Sequence, residues 1–495
     1  MKIMNETASG FVTADCLFCH RNAIRDVHIA MRRDKEIPRR ILLSAGAAFG
    51  MANLPGFLRG AAPAGFFRSE GGLLEADIQA GESWTSLGGN YAHLFTYNGQ
   101  APGPIFEARA GDTVHLRFTN GLAEPTNLHF HGLHVPPTGS GDNVSLEVNP
   151  GESFTYRFAL PANHPSGTFW YHPHLHGTSA RQVFRGLAGL FIVRGELDDI
   201  PEIAKATEHF LVLKDWALDR NGEVPEPSLM QKMNGREGSL ITIGNAIKPQ
   251  FPILTGELIR LRILNASASR FYRLKLEEHP LNVIATDGGP LPALNAVSEI
   301  LLAPGERVEV LIQGNREAGV YRLLNLPYHR GGKGMMGGSS RPGDPEVLAT
   351  FSYEGRAEFA LDLPGSLVAV DPLPAPEGPP RSFVLSEWSM RFLINGRQFD
   401  RRRVDTQVRL GTVEDWEIIN QGAMDHPFHL HTNSFQVLDA DGQPVRAWKD
   451  VLLVPARQRR RFRVRFDDFA GKTVYHCHIL DHEDLGMMGV IEMTA

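Results

Sequence analysis

A threefold internal repeat constrains this chain more than any other feature in it. A glycine turn leading into a strand that ends in asparagine occurs at 111–120, and again at 256–265 and 411–420. A second strand, opened by Pro-Gly-Glu, occurs at 150–160 and 304–313, with a diverged copy at 455–466. A third occurs at 167–174, 319–324 and 472–478. Self-similarity of this kind means one structural unit used three times. Strand-like runs punctuated by turn residues, in a chain with 50 Gly and 33 Pro, make that unit all-β. The expected units cover 70–196, 205–355 and 381–495, and the proline-rich stretch 363–380 reads as a linker. A chain of 495 residues has room for three such domains.

Histidine recurs at matching places in two of the three copies. Nine residues after the strand-ending asparagine, the first copy reads His129-Phe130-His131 and the third His429-Leu430-His431. The middle copy has Leu274-Lys275-Leu276 there. On the later strand the first copy has His172 and His174 around Pro173, and the third has His476 and His478 around Cys477. The middle copy has Arg322 and Leu324. Side chains alternate along a strand, so each His-X-His pair presents both rings on one face. Eight imidazoles from the outer copies can converge only if those two domains pack face to face. Their number fits three copper ions, and all-imidazole sites suit copper that handles dioxygen. The middle domain offers no ligand and is expected to be a spacer.

Parity also separates Cys477 from its neighbours: it points to one side of the strand while His476 and His478 point to the other. A thiolate with two imidazoles and a weak thioether is the blue-copper ligand set. His482 and Met487 follow at spacings a loop can fold back onto Cys477. His426, three residues before His429, has the parity to face the same side, although Pro427 bends the chain there. Cys477 would bond one metal site and, through its peptide neighbours, touch the other, which is wiring for electron transfer.

These segments resemble the signature motifs of the multicopper oxidases, the family of laccases and bacterial cuprous oxidases. Residues 129–132 match its HxHG, 172–174 its HxH, 426–431 its HPxHLH and 476–487 its HCHxxxHxxxxM, with all twelve ligand positions filled. The resemblance implies three consecutive cupredoxin-like Greek-key β-sandwich domains and four copper ions per chain. It assigns His426, Cys477, His482 and Met487 to type 1 copper, and His129 and His429 to type 2. Type 3 copper would be held by His131, His172 and His478 on one ion and by His174, His431 and His476 on the other. It further implies one-electron oxidation of a reductant at type 1 and transfer through Cys477 to His476 and His478. Four such electrons reduce O2 to two waters. Asp142 and Glu483 match family positions that supply protons near the cluster.

The reductant is expected to be a phenol or Cu(I). Met424 resembles a position where cuprous oxidases bind Cu(I) through a soft sulfur, and Asp425 adds a charge for docking. The long methionine-rich insert of some cuprous oxidases is missing, and the pair Met335-Met336 in a glycine-rich run is expected to be incidental. The competing reading is a periplasmic copper-sequestering or assembly protein without turnover. Relatives of that kind have lost cluster ligands, whereas none is lost here.

A net charge of −6 gives no reason to expect a nucleic-acid partner. Of the three cysteines two lie in the first twenty residues, so no internal disulfide is expected in the mature chain. Residues 1–65 read as a leader: Arg39-Arg40 precede the weakly apolar run 41–52 and small residues around 61–64. That resembles a twin-arginine export signal, which implies the Tat machinery as a partner and a bacterial periplasmic or secreted location. The run is too short and broken for stable membrane insertion. Met31 is an alternative initiator, which would leave 1–30 untranslated. The haem-attachment pattern Cys16-Leu17-Phe18-Cys19-His20 then reads as coincidence. The arginine-rich run 457–465 alternates with Phe462 and Val464, as expected of a strand with one solvated face.

Overall fold

The computed structural model describes residues 65–331, 343–388 and 390–495. The leader with its arginine pair and Cys16–His20 run, and Met335-Met336, lie outside these residues. The described strands form six sheets, two for each repeat. In the first repeat a four-stranded sheet packs on a five-stranded one that ends in Gly189–Arg194, Gly167–His172 and His129–His131. In the third, the equivalent sheet runs Met488–Thr494, Gly471–Cys477, His426–Leu430 and Val451–Val454. Each repeat closes over its own apolar core, the first around Phe118, Tyr156 and Phe191, the middle around Ile263, Val310 and Phe351. The third centres on Trp416, Phe428 and Phe462. The chain is therefore all-β, with three cupredoxin-like sandwiches.

The asparagine that ends the first repeated strand has the same job in all three copies. Asn120 accepts from the Leu122 amide (2.9 Å) and donates to the carbonyls of Glu124 (2.9 Å) and Val148 (2.8 Å). Asn265 bonds in the same way to Ser267, Arg270 and Leu302, and Asn420 to Gly422, Met424 and Val454. One side chain thus satisfies three backbone groups in the loop that leads to the next strand. This staple sets the nine-residue distance from asparagine to the first ligand position.

Strand Thr113–Asn120 shows the alternation expected of a half-buried strand, whereas Leu258–Asn265 is buried throughout. The difference comes from Arg260 and Arg262, which face the first domain and are covered by it. They pair with Asp198, Glu208 and Glu309, and Arg194 of the first domain joins the same network. Strand Arg459–Phe466 needs one correction. Arg459, Arg460 and Arg465 are exposed, but Arg463 is buried on Asp415 at 2.7 Å. The linker covers it: Arg463 donates to the Leu373 carbonyl, and Gln436 bonds both Asp371 and Leu373.

Candidate metal centre

Two buried ligand clusters lie on either side of strand Gly471–Cys477. On one side His426 Nδ1 sits 3.3 Å and His482 Nδ1 3.9 Å from Cys477 Sγ. The loop after Cys477 closes the set. A short helix, Leu480–Asp484, turns the chain so that the Met487 amide donates to the His482 carbonyl (2.9 Å), and its carbonyl accepts from the Cys477 amide (3.0 Å). Met487 is fully buried there. The outward nitrogens of both imidazoles are spoken for: His482 Nε2 donates to the Met233 carbonyl (3.1 Å), and His426 Nε2 to Glu387 Oε1 (3.0 Å). Such bonds fix ring orientation and leave Nδ1 of each ring free to face the sulfur. Burial pushes the Cys477 thiol well up, so a thiolate there needs a cation beside it.

On the other side the eight imidazoles of the four His-X-His pairs meet at the seam of the first and third domains. His131 stacks on His429 with ring centres 3.8 Å apart, and His129 on His431 at 3.9 Å. Nitrogens of His131, His172 and His478 lie within 4.8 Å of one another, as do those of His174, His431 and His476, and those of His129, His131 and His429. Nε2 of His174 and of His431 are each 3.0 Å from Nε2 of His476.

All eight are buried, and burial holds their pKa values low, aided by mutual repulsion in all but His172, which burial pushes down to about 3. Neutral rings keep a lone pair for a metal. Nε2 of His129, His172 and His429, Nδ1 of His131 and His431, and both nitrogens of His478 have no hydrogen-bond partner among the described residues. Buried polar atoms are rarely left unpaired, so seven in one place fit a bound metal.

Carboxylates ring this cluster. Asp142 takes His129 Nδ1 on both oxygens (2.8 and 2.9 Å) and also the Phe130 amide (2.9 Å). Burial raises its pKa to about 8. Glu483 is fully buried, 3.2 Å from His476 Nδ1 and 3.8 Å from His174 Nδ1, and burial holds it well above the usual carboxylate range.

The two expected docking residues are less available. Met424 is packed in the third-domain core, and Asp425 is held by Tyr328 Oη (2.5 Å) and the Ala456 amide (2.7 Å). Sequence reasoning missed three charged residues beside the clusters: Glu387, Asp450 and Arg307. Only Arg307 carried a signal, as an arginine directly after a repeated Pro-Gly-Glu turn. Of the histidines outside both clusters, His134 ties the first domain to the Thr432 carbonyl (2.7 Å) and Asp468 (2.9 Å) of the third, and His176 packs on Phe399.

Comparison with known proteins agrees with this geometry. Three sequence profiles described as multicopper oxidase match residues 79–198, 208–355 and 374–494. The chain is similar to a multicopper oxidase, mco, of Staphylococcus haemolyticus, at 31% identity over 82% of this chain and 85% of the relative. It is 33% identical to the cell division protein FtsP of Yersinia pestis over 75% of this chain and 78% of that one. A solved multicopper oxidase from Campylobacter jejuni, described as a metallo-oxidase, superposes with a TM-score of 0.78 at 33% identity, covering 86% of this chain and 92% of that one.

Proposed function

We propose, from the premise that the chain belongs to the multicopper oxidase family, a division of labour between its two clusters. The protein is a copper-binding oxidase that oxidises a reducing substrate and passes the electrons to O2. His426, Cys477, His482 and Met487 are the type 1 ligands, and His129 and His429 the type 2 ligands. His131, His172 and His478 hold one type 3 ion, and His174, His431 and His476 the other, giving four coppers per chain. Bound copper supplies one-electron acceptance from the reductant at the first cluster and four-electron reduction of O2 to two waters at the second. Cys477 and its peptide neighbours His476 and His478 provide the covalent route between them.

The observation that carries this reading is the set of seven partnerless imidazole nitrogens, two of them on His478, the peptide neighbour of a buried cysteine that lies beside two further histidines. Glu483 and Asp142 hold protons beside the rings that face O2, and their burial favours the protonated form. Asp142 also orients His129. Reductant enters on the His426 side, where Met424 and Asp425 are the docking residues expected from sequence. Glu387 bonds the outward nitrogen of His426 while 23% of its side chain stays exposed.

The reductant is a phenol or Cu(I), and the likeness to a metallo-oxidase supports the metal ion. Export by the twin-arginine route to the bacterial periplasm or beyond is supported by residues 39–64. Likeness to a protein named for cell division keeps a second reading open, a copper-sequestering or assembly protein without turnover. The complete ligand set favours the oxidase.

Copper analysis together with oxygen uptake tests both readings. Four bound coppers, a near-UV type 3 band and uptake with Cu(I) or 2,6-dimethoxyphenol are expected. One copper or none, with no uptake, would support sequestration. If uptake with Cu(I) falls in Met424→Ala, the substrate is the metal ion; a preference for the phenol that ignores Met424 makes the protein a laccase.

A further inference from the structure

The middle domain lends no imidazole to either cluster, yet one of its side chains reaches the larger one. Arg307 opens strand Arg307–Gln313, directly after the Pro-Gly-Glu turn, and is fully buried. Its guanidinium grips Asp450 of the third domain with two prongs, Nη1 to Oδ1 at 2.7 Å and Nη2 to Oδ2 at 2.6 Å. Its Nε donates to the Thr168 carbonyl of the first domain (2.9 Å), and Nη2 also to the Asp287 carbonyl (2.7 Å). One guanidinium therefore touches all three domains.

Asp450 faces the metal ligands. Its Oδ1 accepts from His131 Nε2 (2.9 Å), and its backbone carbonyl accepts from His429 Nδ1 (2.8 Å). With those nitrogens occupied, the ones left without partners are Nδ1 of His131 and Nε2 of His429. The two rings stack nearly parallel, at 8°. Two glycines keep this space clear. A Cβ on Gly132, the glycine that closes the first motif, would lie 2.6 Å from Asp450 Oδ2 and press on Arg307 Nη2. A Cβ on Gly305 would lie 3.0 Å from the His478 ring.

We infer that Arg307 is a positioning residue of the imidazole cluster: it fixes Asp450, and Asp450 fixes which nitrogen His131 and His429 turn toward the metal. The planar fork matches both carboxylate oxygens, so the carboxylate cannot rotate, and the lone pair left on Oδ1 is aimed at His131. A lysine offers a point charge without the fork. The middle domain, expected only to separate the other two, takes part in shaping the metal centre. This inference rests on the reading that copper occupies the imidazole cluster.

The test uses the full chain loaded with copper, as wild type, Arg307→Met, Arg307→Lys and the double variant Arg307→Met/Asp450→Asn. Readouts are copper per chain, the electron paramagnetic resonance signal of type 2 copper, its retention against a chelator, and the blue band as an internal fold control. Retention of type 2 copper is expected to fall about 10- to 100-fold in Arg307→Met. The double variant, which removes the unpaired charge but not the misplacement, is expected to fall similarly with the blue band intact. Arg307→Lys should keep the blue band and show an altered type 2 signal. Wild-type spectra and retention in all three variants would overturn the inference. Full restoration in the double variant would also overturn it, reducing Arg307 to a charge neutraliser. If Arg307→Met loses the blue band as well, Arg307→Lys decides alone, and a wild-type signal from it overturns the inference. A wild-type chain that fails to load copper at the imidazoles would instead overturn the functional reading.

Discussion

At the scale of single residues, the two clusters are governed by what lies on the far side of each ring. Glu387 reaches His426 because residue 422 is glycine: a Cβ there would sit 2.6 Å from Glu387 Oε1. Glu387→Gln should keep the hydrogen bond to Nε2 but remove a negative charge, which destabilises the oxidised site by roughly 1 kcal/mol. The potential of copper bound beside Cys477 is then expected to rise by tens of millivolts, read by redox titration of the blue band; a fall would contradict this account. Gly422→Ala, by displacing the same carboxylate, should move the potential the same way. Glu483→Gln is expected to leave the blue band in place and to slow turnover about 100-fold, the scale of a lost proton-transfer group. Unchanged turnover across the full pH range would remove Glu483 from the mechanism.

At the scale of elements, the helix Leu480–Asp484 connects both clusters to the neighbouring domains. His482 turns to Cys477 and Glu483 to His476. Asp484 caps the helix Ser179–Arg185 of the first domain through the amides of Gly177 and Ala180. Asp481 holds Arg236 of the middle domain through its amide (2.9 Å) and guanidinium, with Nη2 at 2.6 Å. Five residues thus meet both clusters and all three domains. Asp481→Ala strands a buried guanidinium and should cost about 3–5 kcal/mol, visible as a lowered melting temperature. Because His482 is the next residue, the blue band should shift in the same variant. A shift in neither would mean the helix is held elsewhere.

At the scale of the whole molecule, two seams are joined by different forces. The first and middle domains are held by arginine–carboxylate pairs, Arg194 with Glu208 and Arg262 with Asp198, and by apolar contacts around Ile105, Trp170 and Leu264. The first and third share the imidazole cluster, to which His129, His131, His172 and His174 come from one side and His429, His431, His476 and His478 from the other. Copper bound there would link the two domains, and free copper at a thousandfold excess over Kd would add roughly 4 kcal/mol to the folded state. Chelated protein is therefore expected to melt at a lower temperature than loaded protein in scanning calorimetry. Its extra hydrogen exchange should concentrate along the first–third seam, while the arginine-paired seam stays protected. Equal melting temperatures would show that copper does not link the domains.

The clustering of the imidazoles, and of Cys477 with His426 and His482, was legible in the sequence because strand parity and the threefold repeat are local: they depend on alternation and spacing, which the chain carries in one dimension. The sequence by itself therefore determined the all-β class, the threefold unit and the grouping of imidazoles on the outer copies. Tertiary structure alone decided which ring nitrogen faces inward, because that depends on partners far away in the chain: Asp450 lies 319 positions from His131 and Arg307 lies 143 from Asp450. It also decided that Met424 is packed in a core, that Arg463 is covered by the linker, and that Glu387 occupies the gap left by Gly422. Each is a matter of which surfaces meet when domains pack, and no periodicity within a single strand records that.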